Sequence, residues 1–263
     1  MTDLLAAFVA PGLDVSTAGL FLGVSFVASA ITAAFGLGGG SLMLAVLTLY
    51  WPAAIAVPVH GCIQLGSNSG RALHRRKFIQ WQFAGWFILG SALGALAGGR
   101  VATLLPDAVF KAAIATFILW SVWAPQAPIR ARSAVTTTLA GAVTSAVGMI
   151  VGISGPLVIS FLRNLTDRRQ IVGTHAFLMS AQNTFKVLTF IGFGFAFGAY
   201  LPLIALMVGA GFAGTAVGGL FLDRLPEKAF RLVFRMVLTV IALDLLRRLA
   251  LEIATPAAAT IGP

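Results

Sequence analysis

The fold is decided by residues 15–70, which read VSTAGLFLGVSFVASAITAAFGLGGGSLMLAVLTLYWPAAIAVPVHGCIQLGSNSG. This stretch contains no Asp, Glu, Lys or Arg, and residues 78–99, 133–162 and 187–222 are also free of charge. Because one helical crossing of a bilayer takes about 20 apolar residues, the first stretch must hold more than one crossing. A transmembrane barrel would instead show segments of about ten residues with alternating polarity. The sequence therefore predicts several transmembrane helices.

The composition extends this interpretation to the whole chain. The 263 residues are 59% apolar and only 10% charged, whereas a soluble domain carries about 25% charged residues. This composition excludes a soluble globular enzyme and predicts the lipid bilayer as a partner. The single Cys62 excludes an internal disulfide and a Cys-based metal cage, and we expect no metal and no other cofactor. The net charge of +10 is typical of loops that orient membrane proteins, so we expect no nucleic-acid partner.

The chain contains two copies of one unit. The residues that coincide under a shift of 115 positions are polar and keep their order: His60 with His175, Asn68 with Asn183, and Arg71 with Lys186. Such matches are uncommon by chance in an apolar sequence, and a search for internal repeats precedes any assignment of fold. We interpret them as a duplication, with repeat one at about 17–125 and repeat two at about 133–250, inside a single transmembrane domain of residues 1–263.

The predicted fold class is an all-α polytopic membrane protein. Each repeat is predicted to hold four long transmembrane helices and one short, broken or re-entrant helix. The five elements of repeat one are predicted near 17–36, 40–50, 54–73, 79–99 and 107–124. Those of repeat two are predicted near 134–151, 155–163, 170–193, 199–220 and 228–248. A short, Gly- or Pro-interrupted segment at corresponding places in two halves is typical of transporters.

The distribution of charge between loops indicates that the two repeats are inverted. Residues 75–77, Arg-Arg-Lys, follow the third element of repeat one, whereas residues 192–199 of repeat two are uncharged. The loop before the third element reverses this difference, because residues 51–58 are uncharged and residues 163–169 carry three arginines. By the positive-inside rule, these equivalent loops lie on opposite sides of the membrane. We expect Arg130 and Arg132 on the inner side as well.

Polar side chains form a ladder on one face of the third element of each repeat. The ladder of repeat one consists of His60, Gln64, Asn68, Arg71 and Arg75. That of repeat two consists of His175, Gln182, Asn183 and Lys186, with Met179 opposite Gln64. Polar groups inside a span usually face the protein interior or a water-filled cavity. The two histidines would converge at the repeat interface, which favours a binding site. Lys186 is the strongest candidate for an intramembrane cation, since Arg71 can snorkel to the interface. For Asn68, Asn183 and Gln64, hydrogen bonding between helices is an equal alternative.

Glycine-rich joints precede both short elements. Residues 36–41 read GLGGGS, and residues 152–156 read GISGP. A helix that begins at such a joint directs free N–H groups and a positive dipole end toward whatever lies in front of it. The residues expected to surround an anion in this way are Gly38, Gly39, Gly40, Ser41, Ser154 and Gly155. Close helix packing through small residues is the alternative. Every Asp and Glu lies near a predicted span end, so the interior suits an anion better than a cation.

With these features the chain resembles the sulfite exporter TauE/SafE family of bacterial membrane permeases. The resemblance covers about residues 17–249. It rests on residues 36–41, the charge-free stretch with Pro52 and Pro58, the polar third element that leads to residues 75–77, and the duplicated layout. The resemblance implies movement of sulfite or an organosulfonate across the bacterial cytoplasmic (inner) membrane.

The function that we predict is a secondary transporter for a small anion, not an enzyme, which works by alternating access at a midplane site. Two alternatives stay open. Residues 152–155, GISG, match the GxSG pattern of rhomboid proteases, so Ser154 and His175 would form the dyad of an intramembrane serine protease. A passive anion channel is excluded by no sequence feature. The sequence leaves the oligomeric state, the direction of transport and the coupling ion open.

Overall fold

The computed structural model describes residues 10–35, 38–125, 128, 133–221 and 227–254. These residues form ten α-helices and two short 3₁₀ helices, with no strand among them. The α-helices are α1 (Val15–Phe35), α2 (Gly39–Tyr50), α3 (Ala53–His74), α4 (Trp81–Ala102), α5 (Asp107–Trp123), α6 (Ala134–Ile150), α7 (Gly155–Leu162), α8 (Arg168–Gly192), α9 (Leu201–Phe221) and α10 (Glu227–Ala254). Gly36, Arg130 and Arg132 lie outside the described residues, so the predictions made for them have no structural counterpart.

Each of the ten predicted elements corresponds to one helix. The boundaries agree within three residues, except that α10 continues to Ala254 beyond its predicted end. The segments Val15–Ala33, Ala84–Ala102 and Phe197–Gly218 are long and apolar enough to cross a membrane, judged by length and composition among the described residues. The all-helical membrane fold is therefore confirmed. The division of each repeat into four spans and one short helix stays a prediction, as does the inverted arrangement.

Local sequence explains where the helices begin. Asp14 Oδ1 accepts a 2.7 Å hydrogen bond from the Thr17 backbone N–H at the start of α1, and hydrogen bonds from Thr17 lower the pKa of this carboxyl. Ser133 and Thr136 form a capping box at the start of α6. The chain breaks before each short helix at a glycine with positive φ, Gly38 at 103° and Gly152 at 77°. Glycine adopts this conformation without the steric cost of a Cβ, so both glycine-rich joints end a long helix as predicted.

Helix packing follows the same pattern in both halves of the chain. The four most extensive contacts pair α4 with α6, α1 with α9, α3 with α8, and α5 with α10. If α1 to α5 are exchanged with α6 to α10 in order, this set of pairs is unchanged. Such a pattern is what a two-fold relation between two copies would produce. The duplication stays a prediction, with which this set of helix pairs is consistent.

Glycines bring two of these pairs into backbone contact. On α4, Gly94 faces Ala142 of α6 so closely that an added Cβ would overlap the Ala142 carbonyl oxygen. On α9, Gly214 stands in the same relation to the carbonyl oxygen of Phe26 on α1. Small residues at helix interfaces allow close approach in membranes, where apolar burial alone gives little driving force. The α4–α6 and α1–α9 pairs are therefore tightly joined units.

Large apolar side chains cover the outer faces of the bundle. Leu89, Leu93 and Leu96 of α4 are more than half exposed, and so are Leu139 and Val143 of α6. In water such surfaces would form a large apolar patch, whereas in lipid they contact hydrocarbon at no cost. The bundle is thus apolar on its surface as well as in its core, as expected for a protein that spans a bilayer.

Candidate functional site

A small cavity lies where the starts of α2 and α7 meet the paired helices α3 and α8. Its volume is about 40 Å³, and we call it the central cavity. Most of the residues predicted as a site line it: Gly38, Gly40, Ser41, His60, Gln64, Asn68, Arg71, Ser154, Gly155, His175 and Asn183. The structure therefore brings residues of both repeats to one place, which lies between the two glycine-rich joints.

The α3 wall of the cavity is organised by two hydrogen bonds. His60 Nε2 donates to the Gly40 carbonyl oxygen at 3.0 Å, because that oxygen can only accept, and this bond ties α3 to the start of α2. Arg71 Nη2 donates to Asn68 Oδ1 at 2.6 Å. These bonds engage one nitrogen of His60 and one of Arg71. Arg71 Nη1 has no partner among the described residues and is available to a ligand as a donor.

Five buried nitrogens of the cavity walls have no hydrogen-bond partner among the described residues. They are His60 Nδ1, Asn68 Nδ2, Arg71 Nη1, His175 Nε2 and Asn183 Nδ2. An unsatisfied buried polar group costs about 1–3 kcal/mol, and proteins keep few of them. Asn68 Nδ2, Arg71 Nη1 and Asn183 Nδ2 are donors, so unused donors lie on both α3 and α8. His60 Nδ1 is an acceptor in the neutral ring, because Nε2 carries the hydrogen. Five such atoms around one cavity indicate space for a polar ligand.

The charge of the cavity walls defines the kind of ligand. Arg71 is 8% exposed and is the only Arg or Lys among the described lining residues, which include no Asp or Glu. A buried cation without a counter-ion is costly unless a partner arrives. The amide nitrogens of Asn68 and Asn183 add hydrogen-bond donors. The cavity therefore suits an anion.

Three predicted site residues lie outside the cavity wall. Gly39 packs against α1, where an added Cβ would overlap the Ala28 carbonyl oxygen. Gln182 Nε2 donates to Thr144 Oγ1 at 2.9 Å and to Ser91 Oγ at 3.2 Å, so it joins α8 to α6 and α4. Lys186 Nζ donates to the Gly152 carbonyl oxygen at 2.7 Å. Gln182 and Lys186 thus brace the site, and Arg71 rather than Lys186 carries the charge that faces the cavity.

Five residues of the cavity wall were not among the predicted site residues. Gly152, Ile153 and Pro156 belong to the predicted joint at 152–156, and the other two are Thr32 and Met179. Thr32 reaches the cavity from α1, and its Oγ1 donates to the Ala28 carbonyl oxygen at 2.9 Å within the helix. Met179 lines it from α8. A threonine in a charge-free span gives no signal of its own. For Met179 the sequence did contain a signal, because the repeat alignment places Met179 opposite Gln64.

The geometry around Ser154 does not favour the protease alternative. Ser154 Oγ donates to Gln182 Oε1 at 2.6 Å and lies 3.6 Å from Met179 Sδ. His175 Nε2 has no partner among the described residues. A nucleophilic serine needs a base within hydrogen-bond reach, and here a glutamine takes the hydroxyl.

A fluorophosphonate probe is accordingly expected to leave Ser154 unlabelled, because no base activates its hydroxyl. The purified protein and its Ser154→Ala variant should show equal labelling in a fluorescence gel, with a known serine hydrolase as the positive control. Labelling that disappears in the Ser154→Ala variant would contradict the assignment of Ser154 to the cavity wall and revive the protease.

The fold and the cavity define a class, that of helical membrane proteins with a buried cavity that a cation faces. Residues 21–245 match a family model described as "Sulfite exporter TauE/SafE". Since the match spans most of the chain, the protein belongs to the TauE/SafE family. No curated protein and no solved structure matches the chain. Members of this family are membrane transporters, so the protein is a transporter and not an enzyme.

Proposed function

We propose that this protein is a secondary transporter that carries sulfite through the central cavity across the cytoplasmic membrane of a bacterium. The observation that carries the proposal is the set of unpartnered buried donors in the cavity wall, Arg71 Nη1, Asn68 Nδ2 and Asn183 Nδ2. A pyramidal oxyanion offers three acceptor oxygens with several lone pairs. It would accept hydrogen bonds from both α3 and α8, and it would neutralise the guanidinium.

The size of the cavity favours sulfite over an organosulfonate. A cavity needs about 10–15 Å³ of volume that the centre of a water molecule can occupy for each water that it holds. The 40 Å³ of the central cavity therefore accommodates an anion of about three to four heavy atoms. Sulfite has four heavy atoms, whereas sulfoacetate has eight. The longer anion would require the walls to separate.

Alternating access is supported by how the helices are paired. The α4–α6 and α1–α9 pairs are joined through glycine contacts that leave no room between backbones. The central cavity instead lies where α3 and α8 meet the two short helices. We propose that the tightly joined pairs move as bodies around this site. An inverted two-fold relation between the repeats would make the outward-open and inward-open forms equivalent arrangements of the same helices.

The test is sulfite flux into liposomes that contain the purified protein. We expect saturable uptake of radiolabelled sulfite, inhibited at least about 10-fold more strongly by unlabelled sulfite than by sulfoacetate, because only the smaller ion fits the closed cavity. Protein-free liposomes are the control. Equal inhibition by both anions would contradict the size argument, and flux that rises linearly with concentration would favour a passive channel.

A further inference from the structure

A second, larger cavity adjoins the central cavity. Its volume is about 430 Å³, and it is lined by the end of α5, the start of α2, one face of α7 and a segment of α10. We call it the antechamber. Gly38, Ser41 and Pro156 line both cavities. The antechamber therefore reaches the same helix starts that form the central cavity.

The antechamber carries two arginines. Arg163 follows the last residue of α7, and Arg235 lies on α10, and both are exposed. Its described lining residues include no Asp or Glu. A guanidinium matches the geometry of an oxyanion and binds it through two parallel N–H groups. Both cavities are therefore lined by arginine and by no described Asp or Glu, but the arginines of the antechamber are accessible.

Arg235 is held in place by a neighbouring aromatic ring. Its guanidinium carbon lies 5.8 Å from the centroid of the Trp123 ring, within the range of a cation–π contact. Trp123 Nε1 donates to Thr239 Oγ1 at 2.9 Å, and Thr239 Oγ1 donates to the Arg235 carbonyl oxygen at 2.7 Å. The ring is therefore anchored to the helix that carries Arg235, which limits the directions in which this side chain can point.

The ring of Phe234 packs against Gly38, one of the residues that line both cavities. Phe234 lines the antechamber and is absent from the described wall of the central cavity. A Cβ added to Gly38 would lie 2.7 Å from Phe234 Cε1, so the ring rests on the backbone of the joint before α2. An apolar ring of the antechamber thus rests on a glycine that also lines the central cavity.

We infer that the antechamber is a second anion-binding site, in which Arg163 and Arg235 collect sulfite and deliver it to the central cavity. This inference rests on the proposed function. Fixed positive charge raises the local concentration of an anion and its rate of entry by about 10- to 1,000-fold in favourable cases. The effect weakens with salt, because the screening length is about 8 Å at physiological ionic strength. The site therefore governs the KM for transport and not its maximal rate.

The experiment compares the wild-type protein with an Arg163→Gln, Arg235→Gln double variant in liposomes. Sulfite is supplied from the face that carries these arginines, and the orientation is scored by protease access to a terminal tag. At low ionic strength we expect the KM of the variant to rise about 3- to 10-fold with an unchanged maximal rate. The expected change lies at the lower end of the general range because only two exposed charges are removed. The matched control, Arg76→Gln with Lys77→Gln, removes two exposed charges that do not line the antechamber and should keep the wild-type KM.

A second measurement needs no variant. The KM of the wild-type protein should rise several-fold when potassium gluconate increases the ionic strength from about 10 to 300 mM, because exposed charges are screened and the buried Arg71 is not. A KM that is independent of salt, an unchanged KM in the double variant, or a loss of maximal rate alone would overturn the antechamber and leave the proposed function standing. Absence of sulfite flux in the wild-type protein would overturn both.

Discussion

Replacement of Arg71 by Gln is expected to lower the initial rate of sulfite flux by about 100-fold, measured in liposomes at a sulfite concentration below KM. Arg71 is the only Arg or Lys that faces the central cavity among its described lining residues, and its Nη1 has no partner there. Truncating one member of a buried, hydrogen-bonded charge pair costs about 2–5 kcal/mol, and each 1.4 kcal/mol is a factor of about ten. The bound anion would lose both its counter-ion and a forked donor.

The Arg71→Gln variant should nevertheless remain folded. Removing a buried cation that lacks a counter-ion is expected to leave the thermal unfolding midpoint of the ligand-free protein unchanged or higher. Arg71→Lys restores the charge without the second donor and should recover part of the flux. Arg100→Gln, which removes an exposed arginine at the end of α4, is the matched control with normal flux. A folded Arg71→Gln variant with wild-type flux would exclude the central cavity as the transport site.

The positions of the helices could be predicted from the sequence because the bilayer imposes a length on charge-free segments. The structure ends one helix at Phe35, begins the next at Gly39 and begins the third after Pro52, close to the boundaries that the sequence predicts. Glycine with positive φ at Gly38 and a proline before α3 are local causes of a break. Their effect does not depend on tertiary packing. For this reason the short helices were also found from sequence.

The ladder on α8 shows what helical spacing could and could not settle. Gln182 and Asn183 are neighbours in sequence, so their side chains point about 100° apart on the helix. Asn183 lines the central cavity, and Gln182 turns instead toward Thr144 and Ser91. The repeat alignment of Asn183 with Asn68 was therefore the better guide. Of these two neighbours, only Asn183 lies on the cavity wall, and a role for Gln182 in binding stays a prediction.

The roles of Lys186 and Arg71 could not be ranked from sequence. Depth in the span favoured Lys186 as the intramembrane cation. Its ammonium group instead reaches the Gly152 carbonyl oxygen, which lies at the break in the chain before α7. The packing of α3 on α8 directs the Lys186 side chain, because Gly61 of α3 contacts the Lys186 stem. This packing decides which backbone oxygen the lysine reaches. Spacing along one helix contains no information about that neighbour.

Two adjacent glycines at the start of α2 should respond in opposite ways to the same added methyl group. At Gly39, a Cβ would overlap the Ala28 carbonyl oxygen, a backbone atom that cannot move without separating α1 from α2. At Gly40, a Cβ would meet the amide nitrogen of Gln64, the end of a flexible side chain that lines the central cavity. A substitution at Gly39 therefore tests the packing of α1 on α2, and a substitution at Gly40 tests the central cavity.

Gly39→Ala is therefore expected to destabilise the protein by about 3 kcal/mol or more, the upper range for overpacking, and to lower the thermal unfolding midpoint in detergent. Gly40→Ala should keep the midpoint near that of the wild type and lower sulfite flux at least about 10-fold. The methyl group and the displaced Gln64 amide would take up much of a 40 Å³ cavity that holds about three to four heavy atoms. Gly85→Ala, at a position where an added Cβ meets nothing within 4 Å, is the control for both measurements. A Gly40→Ala variant with full flux would show that the substrate does not pass the start of α2, whatever the outcome at Gly39.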